Sequence, residues 1–581
     1  MIDAALYLAG RSLVNGLRRR LRRLRQPKYM IGFTVGLLYY YAFFIRPRGQ
    51  SSGAPLPGAA AEVVAMLGLA VLILAGWLFG SSRSPLVYTP AETHFLFTAP
   101  LTRRQVLDFK LLRSQLALVL SSLLSVVLFS GGHFPATRIL RVLGLWLVFS
   151  ALQMHSAVTA LVRQSLEEHG VTAVRRRLGA FVIVAALVGA AALTLRGQFG
   201  IVQQAFLEGP VAGFDTLKAV LHRGVLGVVT WPFAALVGPA VSHDLATFAA
   251  RLPAALLVLV VHYVWLVRSS VAFEEVAVES AERMATRIAA WRAGRRPPPI
   301  AGPAKPTRRA LTHLRETGSP ARAIAWKNIQ AEWRGSGVRL PVIIVIGLIV
   351  VAWVASMGEE ANAGLVVLTV LFLIFGGLTV VFGPYGLRND LRNDLQLWDQ
   401  LKTYPLRGAE LVAGEVLGPV TVLTTIVWGC LLGAFALSLT IDLPSLPVAD
   451  RMAALFAVAI ATPAALAVTT TIQNAAVLFF PAWITIGPAR ATGIEMIGQR
   501  LVMMVGSVVV LIVVLIPAAI VGAVAVAIAG VTGITGVWLA VPGAIAVTAT
   551  LSFEVMLAFA WLGRVFERSD PATEIGGGGG G

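Results

Sequence analysis

Twelve apolar runs divide this chain, and they restrict its fold before any motif is considered. They lie at about Tyr29–Ile45, Val63–Gly80, Leu116–Phe129, Val142–Leu161, Leu178–Leu195 and Ala246–Val267. A second set lies at Leu340–Ser356, Gly364–Pro384, Val416–Leu439, Met452–Phe480, Leu501–Ala529 and Val537–Leu562. A helix needs roughly 20 residues to cross a bilayer, and the short first and third runs borrow from their flanks. The chain is 57% apolar and 13% charged, against roughly 45–50% and 25% in soluble domains. The reading is an all-α polytopic membrane protein with about 12 transmembrane helices.

The formal charge of +19 points to nucleic acid only until it is mapped. With the N-terminus inside, 39 of the 48 Lys and Arg residues fall on that side of the membrane. That is the positive-inside pattern, which places both termini in the cytoplasm. Topology and lipid headgroups therefore account for the basic charge, and no nucleic-acid partner is expected. Too many residues precede the first run for a secretory signal, and no small-residue cleavage site occurs, so the basic LRRRLRRLRQPK (Leu17–Lys28) reads as a retained membrane-surface helix. Cys430, the only cysteine, excludes an internal disulfide and any multi-cysteine metal site.

The runs divide six and six. The chain is accordingly read as a first six-span module (1–294), a Pro-rich cytoplasmic linker (295–306), a second six-span module (307–569) and a flexible Gly-rich tail (570–581). An even number of spans per half makes the halves parallel repeats. Each half opens with an amphipathic segment. In the second, Ala321–Pro341 carries Ile324, Trp326, Ile329 and Trp333 at near-helical spacing and predicts an interfacial helix. Between spans five and six, TWPFAALVGPA (Thr230–Ala240) predicts a re-entrant or surface helix pair on the outer side, and the second half has only Gly530–Gly536 there.

Each half also repeats one loop. LFTAPLTRRQVL (Leu96–Leu107) and LKTYPLRGAELV (Leu401–Val412) share Leu, Thr, Pro and Leu in register, followed by a basic residue and an aliphatic pair. They belong to 2–3 loops of about thirty residues, in which proline breaks two helical pieces. Exposed aromatic and apolar residues on such a loop offer a grip to a protein partner. The plainer alternative is a hairpin resting on the bilayer, and the repetition favours the partner.

These loops, the interfacial helices and the six-span module resemble ABC-2 type exporter permeases. With LRNDLRNDL (Leu387–Leu395) and KTYPLRG (Lys402–Gly408), the tandem arrangement resembles the bacterial putative ABC exporter family. The resemblance implies an inner-membrane permease whose 2–3 loops are coupling helices seated on a separate cytosolic ABC ATPase dimer. The candidate coupling residues are Phe95, Thr98, Pro100, Leu101, Arg103, Arg104, Trp398, Thr403, Pro405, Leu406 and Arg407. ATP and Mg would then sit on the partner, with no cofactor on this chain.

The absences agree with a transport role and no enzyme activity. No Gly-Lys pair occurs, so no phosphate loop of the G-x-x-x-x-G-K-[ST] type exists. Neither H-E-x-x-H nor G-x-S-x-G occurs. Glu274 and Glu275 suggest a glutamate-type membrane protease, but the arginine it would need is replaced by Glu279. Glu554 is the clearest acid within a span and the candidate for the translocation path; a helix–helix contact is its plainer role. Gln473, Asn474, His155 and His262 read as interhelical hydrogen-bonders. An ion-coupled carrier of 6+6 architecture is the alternative, disfavoured by Glu554 standing nearly alone, and a non-transporting scaffold is the third reading.

Overall fold

The computed structural model describes residues 58–79, 102–129, 137–171, 173–195, 198–269, 314–315, 317–336, 361–387, 389–394, 398–441, 446–480 and 497–568, with isolated positions among the first 34. Every regular element among them is a helix. The expected spans at 29–45 and 340–356, the linker and the tail lie outside the described residues. The chain divides into two compact units, Met1–Ala301 with Ala491–Met504 and Gly302–Arg490 with Val505–Gly581.

In the first unit the helices are α1 (Gly58–Phe79), α2 (Arg103–Phe129), α3 (Thr137–Glu168), α4 (Ala173–Leu195), α5 (Phe199–Glu208), α6 (Pro210–Leu221), α7 (Gly224–Val237) and α8 (Leu245–Arg268). In the second they are α9 (Pro320–Ser336), α10 (Ala361–Gly386), α11 (Leu391–Asp394), α12 (Trp398–Thr403), α13 (Gly408–Ser438) and α14 (Val448–Phe479). α15 (Ile497–Val531) and α16 (Ala540–Arg568) complete the chain. Nine helical segments among the described residues have the length and apolarity to cross a membrane. The protein is thus an all-α, multi-pass membrane protein.

The interior of these helices shows how lipid is accommodated. Prolines sit inside α8, α10, α13, α14 and α15, where neighbouring helices re-satisfy the freed backbone groups. Ser122, Ser125, Thr369, Thr425 and Thr471 turn their hydroxyls back onto carbonyls four residues earlier. That is the nearest partner at hand without water.

In the first unit α2 packs on α3 and α3 on α8; in the second α13 packs on α14 and α14 on α16. Glycines set the closest approaches. A Cβ on Gly408 would lie 2.3 Å from the Gly563 carbonyl oxygen, so α13 and α16 cross backbone to backbone. Gly414 and Gly418 form a second such groove on α13, filled by Ile324 and Asn328 of α9, each with its Cβ 2.6 Å from the Cβ a substitution would add. With lipid as apolar as leucine, small residues that permit such contact hold membrane helices together.

The segment before α8 has span-like length from Gly224 to Val241, yet its contacts fold it back. Leu221, just ahead of it, clusters with Val63 and Met66. Leu236 and Val237 reach Leu69, Val148 and Val258, about 16 Å or more inside the starts of their helices at 1.5 Å per residue. The 3-10 turn Gly238–Val241 then climbs back: Ala240 abuts Gly144, and the Gly238 carbonyl accepts from Arg251. The segment and its turn thus pack as a hairpin against α1, α3 and α8.

Candidate functional site

Pro405 lies in the break between α12 and α13. Arg407 is extended at φ −70° and ψ 137°, and its N–H donates to Glu410 Oε2 at 3.3 Å. That is half of a capping box, which starts α13 cleanly. Thr403, Tyr404, Pro405 and Arg407 are exposed and Leu406 is half-buried.

Trp398 faces the other way. The expected aromatic grip is only 5% exposed, within a cluster with Leu411, Val412, Leu562 and Phe566. Its ring centroid lies 4.5 Å from that of Phe566, and Lys402 Nζ stands 5.7 Å over its centroid. The loop is therefore anchored by Trp398 to the last turn of α16. Glu567 reinforces the anchor: its carbonyl accepts from Lys402 Nζ at 3.3 Å, and its Oε1 accepts from the Gly408 N–H at 2.7 Å.

Ahead of it, the LRNDLRNDL segment is stitched to α9 and α14. Asp390 and Arg392 form a buried ion pair, with both side chains at most 4% exposed. Arg392 Nε lies 2.9 Å from each carboxylate oxygen, and Nη2 is 2.6 Å from Oδ2. The next N–H, of Leu391, donates to Asn474 Oδ1 of α14 at 3.1 Å. Asn389 donates to Glu332 of α9 at 2.6 Å, while Asp394 pairs with Lys327 of α9. Lys327 also lies 3.2 Å from Glu415 of α13, which accepts from Asn328 at 2.8 Å. Burial opposes the Lys327 ammonium, but the Glu415 and Asp394 carboxylates outweigh it and raise its pKa.

In the first half, Phe95, Thr98, Pro100 and Leu101 lie outside the described residues, as does the side chain of Arg103. The start of α2, just beyond them, is built like the start of α13. The Thr102 N–H donates to Gln105 Oε1 at 2.9 Å and the Gln105 N–H to Thr102 Oγ1 at 3.4 Å, a complete capping box. Arg104 Nε then donates to Tyr263 Oη of α8 at 3.2 Å, and Tyr263 donates to Asp108 at 2.9 Å. Leu107 and Leu111 pack against Leu266 beside them. In each half, the helix that comes after the loop is fastened to the closing end of that half's last span.

Within the spans, one carboxyl oxygen of Glu554 is buried without a hydrogen-bond partner among the described residues. Gln473 donates to Ser507 at 3.0 Å. His155 and His262 meet each other, with Nδ1 3.3 Å from Nε2, between Trp77 and Trp265. His262 Nδ1 sits 2.8 Å from the Val258 carbonyl and so carries the proton. In the neutral pair, His155 Nδ1 must therefore donate to His262 Nε2. Elsewhere, Glu62 takes both Lys218 at 2.9 Å and Arg251 at 3.2 Å, tying α1, α6 and α8 together. Sequence reasoning missed Glu62, Lys327 and Glu415; the only signals were the places of Glu62 and Glu415 at the rims of apolar runs and of Lys327 in the amphipathic segment. No group of three metal-ligating side chains occurs among the described residues.

Span-length apolar helices with charged networks gathered at their ends define a multi-pass membrane protein. Compared with known families, residues 2–395 match the one described as "Putative ABC exporter". The chain belongs to that family and is a membrane component of an ABC exporter. No curated protein and no solved structure matches it.

Proposed function

We propose that this chain is the permease of an ATP-driven exporter in a bacterial inner membrane, both termini cytoplasmic, and that its ATPase is a separate polypeptide. Two parallel six-span modules in one chain would supply what two permease subunits supply elsewhere. A cytosolic ATPase dimer carrying ATP and Mg would grip the loops around Pro100 and Pro405, and lipid headgroups would surround the basic rim. The observation that carries this reading is the fastening of each post-loop helix to the last span of its own half. A push on either loop would then move the third and sixth spans together. Thr403, Pro405, Leu406 and Arg407 form the contact face in the second half, and Trp398 holds that face in place.

Gentle purification from the native host tests the reading: an ATP-binding-cassette ATPase should accompany the chain at about two copies. A Pro405→Asp, Leu406→Asp variant should lose it while remaining folded. The unpartnered carboxyl oxygen of Glu554 supports one competing reading, an ion-coupled carrier with Glu554 on the path. That reading gains if no ATPase accompanies an intact protein and a proton-driven flux disappears in Glu554→Gln.

A further inference from the structure

The charges between the LRNDLRNDL segment and α9 are more than docking requires. One ammonium, Lys327, serves two carboxylates on different elements: Asp394 on the loop and Glu415 in α13. Glu415 has no exposed side-chain surface, and its two nearest donors, Lys327 and Asn328, are neighbours on α9. One turn further along α9, Glu332 takes the side chain of Asn389. The helix thus holds the loop at two points and α13 at a third. It does so directly over Gly414 and Gly418, whose lack of side chains leaves seats for Ile324 and Asn328 of α9. At those two positions α13 presents no side chain of its own across the path of α9, so the helix can turn in its seats. A three-donor ammonium on a flexible stem can keep both carboxylates while that happens.

We propose that Lys327 is a positioning residue that joins the second-half loop to the interfacial helix α9 as one lever, so that a displacement of the loop turns α9 on α13. This rests on the reading above that the loop receives an ATPase. Hydrogen bonds and ion pairs make the loop–α9 joint, whereas the loop–α16 anchor adds an aromatic pair and a backbone crossing to its two bonds with Glu567. The joint can therefore change register while the anchor stays fixed.

The test uses the complex with its ATPase in nanodiscs, with Cys430, the only cysteine, replaced by serine. Spin labels at Arg322→Cys on α9 and Leu432→Cys on α13 report their separation without nucleotide and with ATP–vanadate. The parent complex should show a nucleotide-dependent shift. Lys327→Met combined with Glu415→Gln and Asp394→Asn, which removes both carboxylates together with the ammonium they share and keeps the Asn328 bond, should lose the shift while retaining two ATPase copies. Lys327→Arg should keep it. An undiminished shift in the triple variant overturns the proposal, as does a parent complex that hydrolyses ATP with no shift at all. Absence of the ATPase from the parent preparation would overturn the docking reading itself, and the copy number reports that before any distance is measured.

Discussion

Asp390→Ala isolates the energetics of the LRND turn. Its carboxylate accepts the Arg392 backbone N–H at 3.0 Å, Nε at 2.9 Å and Nη2 at 2.6 Å. Without it, the guanidinium, 4% exposed, retains the Leu387 carbonyl at 2.5 Å but has lost its counter-charge. Removing one partner of a buried pair costs about 3–5 kcal/mol, because the other charge stays buried. Relocating the turn would also strain the Leu391–Asn474 bond. Against a total stability of roughly 5–15 kcal/mol, a loss of this size is readily measured by tryptophan fluorescence during denaturation in mixed micelles. Replacing both partners, Asp390→Leu with Arg392→Met, should cost within about 1 kcal/mol, since apolar substitutes for buried pairs are often neutral or better. A single-variant cost below about 1 kcal/mol would refute the argument, because it would mean that water already reaches Arg392.

Other contacts yield three further expected outcomes. Gly418→Leu places its Cβ 2.6 Å from the Asn328 Cβ, an overpacking worth about 1–3 kcal/mol, and should expose α9 to limited proteolysis. The raised pKa of Lys327 contributes stability that is fully present below its unfolded value of about 10.5 and lost as pH rises through the higher folded value. Melting temperature should therefore fall as pH rises above about 10.5, less steeply in Lys327→Met with Glu415→Gln. His262→Phe leaves the His155 Nδ1–H facing an apolar ring at a cost of about 1–3 kcal/mol. A double-mutant cycle with His155→Phe should recover much of that loss.

The long apolar runs were legible because lipid permits little besides helices, and the break at Pro405 because proline ends a helix mechanically. The facing of short elements was not. Trp398 sits on a six-residue helix, too short for a 3.6-residue period to declare a face, and it turned inward onto Phe566. On α9 the apolar stripe read from the sequence is Ile324, Trp326, Ile329 and Trp333. Of these, Ile324 meets the α13 glycines, joined by Ala321, Ala325 and Asn328, because small residues that allow close approach decide where membrane helices pair. Glu415 and Lys327 were invisible as partners since 88 residues separate them. The first-half loop residues from Phe95 to Leu101 lie outside the described residues.

The two halves reach one mechanical end by different chemistry. Behind the first loop, the fastening is an arginine, a tyrosine and an aspartate, with Arg104 and Asp108 side chains 65% and 44% exposed. Exposed pairs of this kind are worth about 0–1 kcal/mol and weaken with salt. Behind the second loop it is a backbone crossing at Gly408 and Gly563, which salt does not touch, with the Trp398–Phe566 pair beside it. The first half also carries a buried carboxylate at the opposite end of its helices, where Glu62 ties α6 to α1 and α8. A helix bundle so built should yield behind its first loop before its second, and raising the salt concentration should loosen the first fastening alone.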